Sequence, residues 1–402
     1  MATGFAAELA AARSRTDELF ELLSPEAVYD RPVPERHRLI FYLGHLEAFD
    51  WNLIARTTLD LPSFQPTFDR LFAFGIDPEP GKQPADKVSD WPSRAEVASY
   101  NARVRETLDR ALGDTPSHIV QTAIEHRLMH AETFAYLMHN LPHDRKSPTA
   151  EIVGHSGESG IDISRFEMIE IPAGVVTLGQ PREQFGWDNE FDEHKVEVPA
   201  FRISRYKVTN EDYLRFVREG ARPPHFWENH SGEWFYRGMF SRIPLPLRAP
   251  VYVTQEEAAA YAKWAGKALP TEAQFHRAAF GTPAGDERSY PWSENSPIRG
   301  AFDFSRWDPA DVDATPQTDS AFGVSQLIGN GWEWTSTVFG PFPGFHSFPF
   351  YPGYSQDFFD GEHYVVKGAS PRTAARFLRR SFRNWFRPNY PYVYATFRLV
   401  DN

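Results

Sequence analysis

The sequence predicts an α+β protein in two parts: a four-helix bundle, followed by a larger domain of short strands, helices and long loops. Three observations support this fold class. The chain has 402 residues, enough for two or three domains of roughly 150 residues each. Apolar residues recur at helical spacing in the first part, whereas short β-like runs between turn-rich aromatic segments fill the second. A polar stretch rich in glycine and serine lies between them, as in a linker.

The first domain is predicted over residues 1–145 and has four helices. Each helix is indicated by apolar residues that recur every three or four positions. Ser93 followed by Glu96 has the spacing of a capping box, which marks the start of the third helix. The connection over residues 61–92 is too long for a plain loop of a bundle, so we expect it to be functional. The predicted helices begin near residues 9, 39, 94 and 116.

The linker is predicted over residues 146–163 and the second domain over residues 164–402. Runs of β-branched and aromatic residues predict the strands of this domain, and apolar residues at helical spacing predict its helices. Much of the remaining sequence is typical of irregular loops. The predicted strands cover 166–171, 196–203 and 364–367, and the predicted helices cover 210–219 and 254–265.

Composition and charge exclude several classes of protein. Hydrophobic residues make up 41 % of the chain and charged residues 24 %, as in a folded globular protein. The net charge of −12 opposes binding to nucleic acid or to an anionic membrane. The sequence contains no cysteine, which excludes disulfides and thiolate metal sites. No apolar run reaches about 18 residues and the opening segment carries Glu8, so we expect a cytoplasmic protein.

Three histidines in the predicted bundle could hold a metal ion. His126 and His130 are four residues apart on one helix, so both project from the face that carries the apolar stripe. His45 lies among the core positions of a second helix. The alternative is a set of hydrogen-bonded core histidines, but burying three imidazoles is costly unless each finds a partner. Three histidines would leave coordination positions open for substrates and dioxygen, which favours iron(II) over a closed structural zinc site.

Motifs in both parts resemble one known family. The first part contains Gly44-His45-Leu46 and the run from His126 to Thr133. The chain resembles the ergothioneine-type sulfoxide synthases, which fuse a DinB-like four-helix bundle to a formylglycine-generating-enzyme-like domain of the C-type-lectin-like fold. The motifs of the second part are Ile-Pro-Ala-Gly at 171–174, Leu-Pro-Thr-Glu at 269–272, Asn-Gly-Trp-Glu-Trp-Thr at 330–335 and Phe-Arg-Asn at 382–384.

The resemblance implies an oxygen-dependent reaction. Its cofactor would be non-haem Fe(II), with His45, His126 and His130 as the metal ligands. The enzyme would join the sulfur of a thiol to an imidazole carbon of Nα-trimethylhistidine (hercynine) and oxidise the product to a sulfoxide, in ergothioneine biosynthesis. The active site is expected between the two domains. Formylglycine generation, the other known activity of the second domain, requires enzyme thiolates and is excluded by the lack of cysteine.

The family's catalytic tyrosine lies in a Tyr-x-x-Tyr-Ser pattern, which predicts Tyr351 as the catalytic phenol. A phenol with an ordinary pKa of about 10 stays protonated at pH 7 and can donate a proton. Tyr354 and Trp385 could hold the trimethylammonium group between aromatic faces. The alternative is that these rings only pack within an aromatic loop.

The remaining predicted substrate contacts depart from the family pattern in part. Met129 stands where some members have a glutamine that contacts the histidine substrate, and Phe386 and Tyr390 stand where they have an aspartate and an arginine for the thiol. We therefore expect cysteine or another donor in place of γ-glutamylcysteine. Asn384 completes the predicted substrate contacts, and Arg383 and Arg387 are candidates for binding a carboxylate. Alternative functions are selenoneine or ovothiol formation, or a binding module without catalysis.

Overall fold

The computed structural model describes residues 2–76, 84–148, 167–294 and 300–401. The chain forms two compact units, Met1–Ala150 and Glu151–Asn402. The predicted linker over 146–163 lies outside the described residues except for 146–148. Within the described ranges, no helix is both long enough and apolar enough to cross a membrane.

The described residues of the first unit form five α-helices, one more than predicted. The additional helix, α3, lies inside the connection that the sequence analysis treated as a loop. It has only nine residues, too few for a helical repeat to stand out in the sequence. A π-helical segment, Trp51–Thr58, extends α2. The helices are α1 (Ala2–Glu21), α2 (Leu39–Asp50), α3 (Pro66–Phe74), α4 (Arg94–Ala111) and α5 (Ser117–His139).

Two contacts explain how these helices pack around α2 and α5. A small apolar cluster, Leu9, Ala12, Val120 and Ile124, joins α1 to α5. On α2, Gly44 faces the buried ring of Phe72 from α3, and a Cβ at Gly44 would overlap that ring. The glycine before His45 therefore lets α3 approach α2 closely. The predicted capping box is confirmed: the Ser93 and Glu96 side chains exchange hydrogen bonds with each other's backbone N–H.

The second unit contains twelve short strands and three helices among its described residues. The helices predicted over 210–219 and 254–265 are confirmed. The single strand predicted over 196–203 is wrong, because Pro199 and Ala200 separate two strands that belong to different sheets. The elements are β1 (Met168–Ile171), β2 (Gly174–Leu178), β3 (His194–Val198), β4 (Phe201–Ser204), α6 (Asn210–Arg218), β5 (Trp227–His230), β6 (Glu233–Arg237), β7 (Arg242–Pro244), α7 (Gln255–Trp264), α8 (Glu272–Phe280), β8 (Gly331–Val338), β9 (Tyr364–Ala369), β10 (Asn384–Phe386), β11 (Ala395–Thr396) and β12 (Val400–Asp401).

The strands form four small sheets. Their orders are β1-β4-β12, β10-β9-β8-β11, β2-β3 and β5-β6-β7. In the second of these, β8 pairs antiparallel with β9 and parallel with β11. Glu333 of β8 is the centre of a buried ion cluster: it accepts from Lys207 at 2.6 Å and from Arg398 at 2.6 and 2.8 Å. The glutamate of the Trp-Glu-Trp motif is therefore a structural anchor of the sheet.

Candidate active site

The three histidines predicted as metal ligands lie together in the helical unit. His45 comes from α2, and His126 and His130 come from successive turns of α5. Their ring centroids are 4.5 to 5.2 Å apart, and one nitrogen of each ring lies within 4.8 Å of the others. This spacing allows one ion to contact all three rings.

Contacts with neighbouring residues orient the rings of His45 and His126. The Nδ1 atom of His45 is 2.7 Å from the main-chain oxygen of Phe72. Because a carbonyl only accepts, Nδ1 carries the proton and Nε2 keeps the lone pair that a metal needs. His126 stacks on Phe49 with centroids 3.4 Å apart. The segment 61–92 therefore contributes to the site through α3, which supplies the Phe72 carbonyl.

The surroundings keep all three imidazoles neutral. Burial lowers the pKa of His45 to about 4. Burial and the neighbouring histidines hold the pKa of His126 and of His130 well below the ordinary value. Nδ1 of His130 is buried and has no hydrogen-bond partner within the described ranges. Neutral, buried imidazoles that converge in this way fit a divalent transition metal, whose binding would offset their desolvation.

A buried ion cluster joins the two helices that carry the histidines. Arg127, next to His126, donates to Glu47 at 2.8 and 3.0 Å and to Asp50 at 2.7 Å. Arg105 on α4 also donates to Glu47. Burial opposes ionisation of Glu47, but Arg127 and Arg105 hold its pKa below the ordinary value. The sequence analysis missed this cluster, which holds α2 and α5 in register; acids at 47 and 50 on an apolar helix face were its only signal.

In the second unit, the structure brings together the three aromatic residues that the sequence analysis singled out. Tyr354 stacks on Trp187 with centroids 4.0 Å apart and meets Trp385 edge to face at 5.5 Å. Tyr351 lies 5.6 Å from Tyr354. Trp385 stacks on Phe339 at 4.1 Å. These five rings form one aromatic cluster.

A buried carboxyl group, missed by the sequence analysis, lies beside this cluster. The Ser355 hydroxyl donates to Asp188 at 2.6 Å. Burial raises the pKa of Asp188. Burial and the nearby Asp188 carboxyl group raise the pKa of Tyr351 to about 12. Tyr351 is therefore fully protonated at neutral pH.

The two arginines predicted to bind a carboxylate each have an acidic partner within the second unit. Arg383 is 2 % exposed and donates to both oxygens of Glu272, at 3.0 and 3.2 Å. It also donates to a main-chain oxygen at Gly340. These partners stabilise the buried guanidinium but occupy the edges that a substrate would need. Arg387 is exposed and pairs with Glu362.

The remaining residues that were predicted to contact a substrate lie at three places in the structure. Asn384 opens β10, and its Oδ1 accepts from the Trp385 N–H at 2.9 Å. Phe386 and Tyr390 stack on each other at 6.0 Å. Met129 lies on α5, half-buried, in the turn between the two histidines. Phe386 and Tyr390 therefore place two stacked rings at the positions where the resemblance implies charged residues.

Comparison with known proteins defines the class of this two-part chain. Residues 8–138 match the DinB superfamily, and residues 161–402 match the sulfatase-modifying factor enzyme 1-like domain. A hercynine oxygenase of Mycolicibacterium thermoresistibile is 32 % identical, over 98 % of this chain and 94 % of its own length. That of Mycolicibacterium smegmatis is 31 % identical, over 98 % and 97 %. The chain belongs to the hercynine oxygenase family and is an enzyme of the oxidoreductase type.

Proposed function

We propose that the enzyme is an Fe(II)-dependent sulfoxide synthase of ergothioneine biosynthesis. It joins the sulfur of a thiol to an imidazole carbon of trimethylhistidine and oxidises that sulfur. One O₂ balances the reaction: thiol and imidazole each lose one hydrogen, one oxygen atom enters the sulfoxide and the other leaves as water. The convergence of His45, His126 and His130 in a chain of the hercynine oxygenase family is the observation that carries this proposal.

The helical unit would hold the metal. When bound, iron(II) would supply the redox chemistry that O₂ requires. The chain itself supplies three neutral imidazoles, one of them fixed in its tautomer by the Phe72 carbonyl. Phe49 covers one face of His126 and excludes water from it. The Arg127 cluster keeps the two ligand-bearing helices from sliding past each other.

The second unit would supply the proton donor and the aromatic faces. Tyr351 retains its proton at neutral pH because its pKa is about 12, so it can donate one only to a strongly basic oxygen atom. Tyr354 and Trp385 would contact the trimethylammonium group. The stacked pair Phe386 and Tyr390 offers no charge to a γ-glutamyl group. Cysteine, or a related donor, is therefore the expected sulfur substrate.

The reaction can be tested directly by incubating the iron-loaded protein with O₂, trimethylhistidine and a panel of donors. The panel contains cysteine, γ-glutamylcysteine and a selenol, and products are identified by mass. We expect a cysteine sulfoxide adduct as the main product. Absence of any C–S or C–Se product would refute the synthase activity, and a preference for γ-glutamylcysteine would refute the donor assignment.

Tyr351→Phe tests the proposed proton donor in the same assay. The substitution removes only the hydroxyl, so the aromatic cluster should stay packed. C–S bond formation should slow by about 10²-fold relative to simple thiol oxidation, the usual scale for losing a positioned acid. Tyr290→Phe, in an aromatic pair with Trp292, is the matched control. An unchanged product ratio would assign Tyr351 to packing alone.

A further inference from the structure

Helix α3 is too short to hold its own position beside the three histidines. It has nine residues, and isolated helices of fewer than about 12 residues are only marginally stable in water. Contacts with the rest of the unit must therefore fix it. Its last turn contains Phe72, whose carbonyl oxygen lies 2.7 Å from Nδ1 of His45. Since the last four carbonyls of a helix have no N–H partner inside that helix, the end of α3 offers an acceptor to His45.

One buried side chain of α3 accepts hydrogen bonds from three other segments. Asp69 is 7 % exposed. Its carboxylate accepts from the Trp51 indole N–H at 3.0 Å, from the Ser63 hydroxyl at 2.5 Å and from the Tyr100 hydroxyl at 2.8 Å. Trp51 begins the π-helical extension of α2, Ser63 lies in the connection before α3, and Tyr100 lies on α4. Asp69 therefore joins α3 to α2 and to α4.

A second contact fixes α3 along α2. Asp69 and Phe72 are three residues apart and so lie on one face of their helix. Asp69 meets the end of α2 at Trp51, and the Phe72 ring meets α2 at Gly44, where a Cβ would overlap the ring. These two contacts determine where the Phe72 carbonyl lies relative to the His45 ring.

We propose that Asp69 is a positioning residue of the metal centre. It holds α3 so that the Phe72 carbonyl accepts the Nδ1–H of His45, which leaves Nε2 unprotonated for the metal. Such a contact fixes the tautomer of a ligating imidazole and raises its basicity, and its loss weakens metal binding by about 10- to 100-fold. This inference rests on the proposed function, in which the three histidines hold iron.

The tautomer of His45 is a direct readout, and it requires no metal. The two-unit protein is prepared metal-free with isotopically labelled histidine, and NMR at pH 7 reports which ring nitrogen carries the proton. His45 is neutral at this pH because its pKa is about 4, and its signal is the one that His45→Asn removes. Wild type should show Nδ1–H. Asp69→Leu, which has no acceptor, should show both tautomers, and its Kd for iron(II) without oxygen should rise about ten-fold or more.

Two variants separate positioning from general loss of stability. Gly44→Ala displaces the Phe72 ring and should change the His45 tautomer and the iron affinity in the same direction as Asp69→Leu. Leu9→Ala opens a cavity in the buried cluster that joins α1 to α5. It lowers stability at a contact that does not involve α3, so it should retain the wild-type tautomer.

Two milder variants keep the test decisive if Asp69→Leu does not fold. Ser63→Ala removes one of the three donors and should give a smaller change in the same direction. Asp69→Asn keeps an acceptor oxygen, and hydroxyl groups can reverse to accept from its amide, so it should restore most of the wild-type signature. If neither the tautomer nor the iron affinity changed in Ser63→Ala, the role of Asp69 would be refuted in that case.

The outcomes separate this inference from the proposed function. An unchanged His45 tautomer or an unchanged iron affinity in folded Asp69→Leu, or a tautomer change of equal size in Leu9→Ala, would overturn the role of Asp69. The synthase assay is independent of these measurements. If both readouts changed as expected while the wild-type protein formed no C–S product, the proposed function would fail, and Asp69 would still be the positioning residue of a histidine metal site.

Discussion

The two units position their candidate functional residues in different ways. In the helical unit, His126 and His130 share a face because they are one helical turn apart, and only His45 must be brought in from another helix. In the second unit, the contacts that assemble the cluster join distant segments: Ser355 and Asp188 are 167 positions apart, and Trp187 stacks on Tyr354. The helical site depends on two helices staying in register, whereas the aromatic cluster depends on the whole domain being folded.

The buried ion clusters of the two units also differ in the charge of their central residue. In the helical unit, one cation, Arg127, lies between the acids Glu47 and Asp50. In the second unit, one anion, Glu333, lies between the cations Lys207 and Arg398. All of these side chains are at most 1 % exposed. Each unit therefore has one central residue whose removal leaves buried charges without compensation.

The largest expected effect concerns the metal. The double variant His126→Ala, His130→Ala should reduce bound iron(II) to background, because a single remaining imidazole is a weak ligand. Metal analysis after dialysis measures this. His118→Ala, at an exposed position of the same helix, should retain full iron, and so should Tyr351→Phe in the other unit. Full occupancy in the double variant would show that the metal is bound elsewhere.

Replacement of the buried arginines compares the two ion clusters. Arg127→Met and Arg398→Met should each lower the free energy of unfolding by about 3–5 kcal/mol, because each removes a buried cation: Asp50 loses the arginine that it pairs with, and Glu333 keeps only Lys207. Denaturant titration followed by circular dichroism measures this. Arg110→Met should cost at most about 0.5 kcal/mol, because its pair with Glu106 is exposed. A loss below about 1 kcal/mol at Arg127 would contradict its role in joining α2 to α5.

Acid should weaken the metal-free helical unit between pH 6.5 and about pH 4. In the unfolded chain the His45 imidazole binds a proton near pH 6.5, whereas burial keeps it neutral in the folded state down to a pKa of about 4. The unfolded state then holds more protons across this window, so stability falls as the pH falls. Denaturant titrations of apo-protein at pH 7, 6 and 5 should show a shallower loss for His45→Asn than for wild type. An equal loss of stability with falling pH in both proteins would contradict the lowered pKa of His45.

The smallest expected effects concern the helix caps, of which each unit has its own. Ser93 caps α4 in the first unit and Thr254 caps α7 in the second, each within a capping box. Alanine at either position should cost about 1 kcal/mol of stability. Thermal unfolding measures this, with Ser99→Ala in the interior of α4 as the control. If Ser99→Ala were as costly as Ser93→Ala, the loss at Ser93 could not be attributed to the cap.

The sequence by itself determined the local features of this protein. Helical spacing predicted that His126 and His130 of α5 share a face, and the capping box at Ser93 marked the start of α4, because both depend on residues within one or two turns. Tyr351, Tyr354 and Trp385 were singled out through the resemblance, and the structure brings the rings of Tyr354 and Trp385 together. The absence of cysteine excluded disulfides, thiolate metal sites and any reaction that needs a thiolate of the enzyme.

The tertiary structure decided the partners of the polar residues. From the sequence, Arg383 was expected to be available to a substrate carboxylate. In the folded protein its guanidinium pairs with Glu272, which lies 111 positions earlier in the chain. Arg127, Asp188 and Asp69 acquired their surroundings in the same way, from segments that no short pattern relates. The physical reason is that a buried charge is tolerated only with a partner of matching geometry. Such a partner can come from any segment of the chain, so only the folded structure identifies it.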